Sequence, residues 1–346
     1  MNIDMYAFSS KGAILCDKII EGLKDVNIEA FVPERYIKNA HHVKMRVDNL
    51  YNSTEKSFKE KNCIIFIGAV GIAVRAISPF VKSKKTDPAV ICVDEKGLNV
   101  ISLLSGHIGG ANKLTREISN IVGGNPIITT ATDINDKFAV DEWASNKNMH
   151  ISCLKACRDI AAEILEDNKI GLYCDFSIEG EMPVEIDKYE SNIGICISLN
   201  ESKKPFYNTL NLIPRIISVG VGCRKGTEFN IIYNAIKDVL LENNISHYAI
   251  NSINSIDLKK DEEGIIKASE IFNVPFNTFS KEELNNIEGQ FSKSKFVESI
   301  AGVDTVCERA ALMGSNNSKL IIKKTIKNSV TVAASMEDYT VDFDYK

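Results

Sequence analysis

The residues best suited to chemistry lie in one glycine-rich run, Ser105-Gly106-His107-Ile108-Gly109-Gly110-Ala111-Asn112. His107 stands among glycines that offer little bulk to bury it. An imidazole on such a loop changes charge near neutral pH and can serve as acid or base. The alternative is a loop histidine bonded to the backbone. Downstream, Asp133 follows Thr129-Thr130-Ala131-Thr132. A strand over 127–132 would place Asp133 where open α/β sheets bind ligands. Its alternative role is to cap the following helix.

Three strand-to-helix junctions suggest a second kind of chemistry. They are Gly68-Ala69-Val70-Gly71 with Arg75 one turn on, the run from Ser105 to Asn112, and Gly220-Val221-Gly222-Cys223-Arg224-Lys225-Gly226-Thr227. Free N–H groups and the positive end of a helix dipole favour anions at such places. A plain structural turn is the competing reading for each. The third departs from a phosphate loop, because Lys225 precedes Gly226 where Gly-Lys-Ser/Thr is needed, and from the dinucleotide pattern, because glycine misses its sixth position. Residues 302–311 read as a turn into a helix, with Glu308 in its first turns. Arg309 there is either a functional cation or a surface residue.

These loops need elements to position them. The pattern predicts a strand over 2–8, a helix to about 23 capped by Ser9 or Ser10, and a strand over 28–32. Residues 33–60 read as loop plus a short helix. A strand over 63–67, a helix stopped by Pro79, a hairpin of 89–93 with 98–104, a helix over 111–122 and the strand over 127–132 follow. Beyond Asp133 come helices through Trp143 and over 157–165, strands over 170–176 and 193–199 around an exposed connector, and a linker beginning at Lys203. The last domain opens with a strand over 216–219 and closes with one over 330–334. Strands alternating with helices give an α/β fold of several domains, layered sheets with helices on both faces and Rossmann-like N- and C-terminal modules. The expected domains are 1–132, 133–212 and 213–346.

Composition narrows the function. The 346 residues are 44% apolar and 25% charged, as in an ordinary globular protein. The balance of 41 Lys+Arg against 46 Asp+Glu, without a basic run, argues against nucleic acid. Only eight of those cations are Arg, which makes each Arg position informative. Nine Cys lack any CxxC pair, so reduced cytoplasmic thiols are expected and no metal site is. The longest apolar run, 63–74, is too short to span a membrane. Asp4 within the first apolar stretch argues against a signal peptide.

Six segments together resemble one family. GAVGIAVRAISP (68–79), KTDPAVICVDEKGLNVISLLSGHIGGAN (85–112) and PIITTATD (126–133) are similar to its amino-terminal module. VGVGCRKGT (219–227), DTVCERAALMGS (304–315) and TVAASM (331–336) are similar to its carboxy-terminal one. This is the cobalamin-biosynthesis family CbiG, the cobalt-precorrin-5A hydrolases. The resemblance implies water opening the δ-lactone of a cobalt-containing macrocycle, loss of acetaldehyde and formation of cobalt-precorrin-5B. It implies no cofactor, since cobalt is carried by the tetrapyrrole substrate.

With that substrate in view, His107 is the expected base or proton shuttle, with Asp133 beside it. Amides of the 105–110 and 68–71 loops would stabilise negative charge. Substrate contacts are expected at Gly68, Gly71, Arg75, Ser105, Gly106, Gly109, Gly110, Asn112, Gly222 and Arg224, and Arg116 and Arg309 are further cations in recognised segments. Other enzymes of the pathway and a second copy of the chain stay open as partners; nucleic acid and membrane do not. Two alternatives remain, a non-catalytic corrinoid carrier and a nucleotide-dependent enzyme resting on residues 220–227 alone.

Overall fold

The computed structural model describes residues 1–83, 86–107, 109–187, 191–292 and 302–344. The chain divides into two compact units, Met1–Glu142 and Trp143–Lys346. The expected boundary at 132/133 falls inside a short helix, and that at 212/213 inside a buried strand.

The first unit begins with β1 (Asn2–Ala7), α1 (Ser10–Gly22), β2 (Asn27–Val32), β3 (Val43–Met45), α2 (Leu50–Glu60), β4 (Cys63–Ile67) and α3 (Val70–Ile77). It continues with β5 (Ala89–Val93), β6 (Asn99–Leu104), α4 (Ala111–Val122), β7 (Asn125–Ile127), α5 (Ala131–Ile134) and the start of α6 (Val140–Asn146). Its seven-stranded sheet has the order β3-β2-β1-β4-β5-β6-β7. The first five of these strands run parallel in doubly wound order. Alternation along the strands sorts the core into two layers. Ile65, Ile67, Ile91 and Val93 pack with α1 and α4, while Ile64, Phe66, Val90 and Cys92 pack with Ala73, Ala76 and Ile77 of α3. As predicted, Ser9 caps α1, its hydroxyl accepting from Gly12 N–H at 3.1 Å.

Three local expectations need correction. The region 33–60 holds the edge strand β3 as well as the 11-residue α2. The strand expected over 127–132 is instead Asn125–Ile127, because this edge pairs only with Asn99–Ile101 of β6 and the chain beyond it turns into α5. Asp133 therefore lies in the first turn of a helix.

The second unit holds β8 (Met149–Ile151), α7 (Leu154–Leu165), β9 (Ile170–Cys174), β10 (Ser177–Glu179), β11 (Ile186–Asp187), β12 (Ile193–Ile197) and β13 (Asn208–Pro214). The linker expected after Lys203 thus runs into β13, a strand buried from Leu210 to Pro214 between β12 and β8. Then come β14 (Ile217–Gly222), α8 (Phe229–Glu242), β15 (Ile250–Ile256), α9 (Glu263–Phe272), β16 (Phe276–Phe279) and α10 (Lys281–Asn285). The unit ends with α11 (Val306–Met313), β17 (Ser318–Lys327), β18 (Val330–Glu337) and β19 (Thr340–Asp342). Its last five-stranded sheet, β16-β15-β14-β18-β17, carries α8 and α9 on one face and α11 on the other. Among the described residues, no helix is long and apolar enough to cross a membrane.

Candidate functional site

The chain leaves β6 through Ser105, whose φ of +57° starts the turn and whose hydroxyl donates to the Asp87 carbonyl at 3.0 Å. Two glycines of the loop answer to close packing. A Cβ on Gly106 would lie 2.6 Å from Asn112 Oδ1, and one on Gly109 would lie 2.4 Å from Ser105 Cβ. Gly110, with φ of +81°, caps α4 in a conformation that glycine adopts without strain. The N–H groups of Gly110, Ala111 and Asn112 donate to the carbonyls of His107, Ser105 and Gly106 at 2.8, 3.2 and 3.0 Å. These amides, which an anion would otherwise use, are thus engaged within the loop itself.

This turn delivers His107 into a group of carboxylates. Nδ1 lies 3.0 Å from Asp141 Oδ1, and Nε2 lies 3.2 Å from Asp133 Oδ2 and 4.0 Å from Glu142 Oε2. Thr132 Oγ1 is 3.3 Å from Nε2. Asp133 is held in turn by two elements. Arg116 of α4 donates to its Oδ1, and Asn112 donates to its Oδ2 at 2.9 Å. Buried Asn112 also donates to Thr130 Oγ1 at 3.1 Å and accepts from Ser102 Oγ at 2.7 Å. One amide side chain thereby joins β6, α4 and α5.

Burial alone would favour the neutral imidazole. The bond and charge of Asp141, followed by Asp133 and Glu142, outweigh it and lift His107 from 6.5 to about 9. At neutral pH the ring is therefore an imidazolium, a proton donor rather than a resting base. Glu142 is pushed the other way, towards its neutral form, by burial and then by the charge of Asp133 and Asp141, against the pull of His107 and Arg116. An imidazolium and a carboxylate with increased proton affinity thus lie 4.0 Å apart, both largely buried.

Within the first unit, Gly68, Gly71 and Arg75 lie away from this cluster. Gly68 follows β4, and its N–H donates to Val93 O at 2.8 Å, at the carboxyl end of β5. Strand β6 returns antiparallel, with Leu104 beside Val90 at the amino end of β5. The Gly68–Gly71 turn and the His107 loop therefore lie at opposite ends of the strands, roughly 15 Å apart at ~3.3 Å per residue. Their amides do not converge. Arg75 is exposed, and its Nη1 donates to Gly71 O of its own helix at 3.2 Å. Gly222 and exposed Arg224 belong to the second unit, where Thr331 Oγ1 donates to Gly222 O at 3.1 Å. In the same loop, Gly226 N–H donates to Glu262 Oε1 at 2.6 Å. Arg309 is structural: it bonds Asp304 Oδ1 at 2.8 Å and the carbonyls of Leu284 and Ile287 at 3.0 and 2.7 Å.

Comparison with known proteins decides the family. Residues 52–133 match the model described as cobalamin synthesis G N-terminal, and residues 217–335 match cobalamin synthesis G C-terminus. The cobalt-precorrin-5A hydrolase of Salmonella typhimurium is 36% identical over 282 residues, covering 78% of this chain and 80% of that protein. The cobalt-precorrin-5A hydrolase of Priestia megaterium is 31% identical over 301 residues, covering 82% and 80%. The chain belongs to the cobalt-precorrin-5A hydrolase family. Among solved structures, a cobalamin biosynthesis protein G homologue from Sulfolobus solfataricus is 27% identical over 97% of both chains, with a TM-score of 0.42.

Within this hydrolase-family chain, the matched amino-terminal segment contains His107, Asn112, Arg116 and Asp133 and stops at Asp133. Asp141 and Glu142 lie just beyond it. Sequence reasoning missed both acids, since neighbouring acids opening a helix read as partners of its dipole. The separation of the two loops did have a signal. A hairpin placed after a parallel strand sends the next loop to the opposite end of the strands.

Proposed function

We propose that this chain opens the δ-lactone of cobalt-precorrin-5A with water and releases acetaldehyde, giving cobalt-precorrin-5B, with the His107 cluster as the reacting site. Family membership supplies the reaction. The observation that carries the site is the single imidazole held between Asp133 and Asp141 beside the buried carboxylate of Glu142. Ester hydrolysis needs a group to take a proton from water and another to protonate the departing oxygen. Both kinds of group are present here. Cobalt enters with the tetrapyrrole substrate, and no resident cofactor is invoked. Substrate contacts at Gly68, Gly71 and Arg75 of the first unit, and at Gly222 and Arg224 of the second, stay part of this reading, each unit taken by itself. So does a cytoplasmic location.

The test is acetaldehyde release by the purified chain on cobalt-precorrin-5A, followed through an alcohol dehydrogenase that consumes NADH. One acetaldehyde per substrate is expected. His107→Ala should lower kcat by ~10²–10⁴-fold, the range for losing a positioned acid or base. Tight substrate binding without acetaldehyde would make the chain a carrier, and full activity of His107→Ala would remove the site.

A further inference from the structure

Three carboxylates surround His107, and they are not equivalent. Asp133 is committed: Arg116, Asn112 and the Nε2 side of His107 all share its two oxygens. Asp141 holds Nδ1, which orients the ring. Glu142 differs from both. It is 9% exposed, and among the described residues its carboxylate makes no hydrogen bond. His107 Nε2 lies 4.0 Å away, and the Arg116 guanidinium adds a second positive charge nearby. The Glu142 oxygens are not among the sealed, unpartnered polar atoms of the described residues, so a water can reach and complete the carboxylate. Its Oε2 lies beside the ring nitrogen that would donate a proton.

We infer that Glu142 is the general base that takes the proton from the attacking water, with His107 as its acid counterpart and Asp141 as the residue that positions the ring. This rests on the hydrolase reading above and divides the work within it. The steps balance without an external reductant or oxidant. Water oxygen bonds to the lactone carbonyl carbon as its proton passes to Glu142. The ring C–O bond breaks, and the departing oxygen takes the proton of His107. The freed hydroxyl then returns a proton to the now neutral imidazole as its oxygen forms the aldehyde C=O. The adjoining C–C bond breaks, its electron pair stays on the macrocycle carbon, and that carbon takes the proton stored on Glu142. One water is consumed, one acetaldehyde leaves, and both side chains return to their starting forms.

Groups from every neighbouring element set the pH response: Arg116 on α4, Asp133 on α5, Asp141 on α6 and His107 on the loop. The raised proton affinity of Glu142 agrees with its role as base. A competing arrangement is a divalent cation, since one donor atom each from His107, Asp133 and Glu142 lies within 4.8 Å of the others. The Arg116 guanidinium disfavours it by bonding Asp133 Oδ1 and adding positive charge beside the three donors.

The experiment compares wild type, Glu142→Gln and Glu142→Asp on cobalt-precorrin-5A across pH, with thermal unfolding as a folding check. The expected result is a ~10²–10⁴-fold loss of kcat in Glu142→Gln at little-changed KM, loss of the acid limb of the kcat profile, and partial recovery in Glu142→Asp. If wild type releases acetaldehyde and Glu142→Gln stays within about threefold of it, the inference is overturned and the hydrolase reading stands. If wild type releases none, the hydrolase reading itself falls. Mn²⁺ titrated into the wild-type chain gives an independent arm. Stoichiometric binding lost in Glu142→Gln would make Glu142 a metal ligand and overturn the inference, whereas no binding supports it. Should Glu142→Gln fail to fold, Glu142→Asp decides: an acid limb displaced relative to wild type supports the inference, and an unchanged profile overturns it.

Discussion

At the scale of single residues, the charge of His107 makes stability depend on pH. Its folded value of about 9 stands above the ordinary 6.5, so the native state holds this proton more tightly than the unfolded chain. The resulting stabilisation is complete below about pH 6.5 and disappears as pH rises through about 9. The difference in unfolding temperature between wild type and His107→Gln should therefore shrink across that window. A difference that stays constant from pH 6 to 10 would show that the ring is not held as a cation. His107 and Asp133 were legible in the sequence because a histidine among glycines has few structural uses and the ATD turn follows closely. Asp141 and Glu142 were not. Their value comes from meeting an imidazole more than thirty residues earlier, a proximity that no local spacing encodes.

At the scale of elements, the glycines of the third junction have a structural task. A Cβ on Gly220 would lie 1.8 Å from the carbonyl of Cys307, so α11 rests directly on the backbone of β14. Ser218 and Ser335 both donate to Ala311 O at 2.6 Å and fix the same helix from two strands. Gly220→Ala has to push α11 away and should cost about 1–3 kcal/mol or more, as overpacking does. Denaturant unfolding of the full chain measures this, and an unchanged midpoint would contradict the packing. The run Gly220-Val221-Gly222 reads as an anion loop in the sequence because close helix packing and phosphate binding both select glycine, and the packing of α11 accounts for Gly220. Continuous apolar runs such as Cys63–Ile67 were read correctly, since a strand buried on both faces has no polar alternation. Strand β13 was taken for a linker because Lys203-Lys204-Pro205 punctuates the chain just before it.

At the scale of the whole molecule, family and α/β class were legible, because they rest on blocks whose residue types the loops and cores require. Which loops share an end of the sheet was harder to read. It depends on the reversal between β5 and β6, a relation among strands rather than a property of any segment. That reversal has a thermodynamic consequence for the first unit. Ser9 follows β1, whose Ala7 pairs with Ile67, so it belongs to the end with Gly68, whereas Asn112 belongs to the other. Removing the cap by Ser9→Ala should cost ~1 kcal/mol. Removing the amide by Asn112→Ala should cost about 1–3 kcal/mol, since it strips a buried partner from Asp133 and Ser102. Groups this far apart with no shared partner add, so the double variant should lose the sum of the two within ~0.5 kcal/mol. A larger coupling energy would mean that the strands between them transmit strain from end to end. Additivity would mean that the two rims of one sheet have been free to change independently of each other.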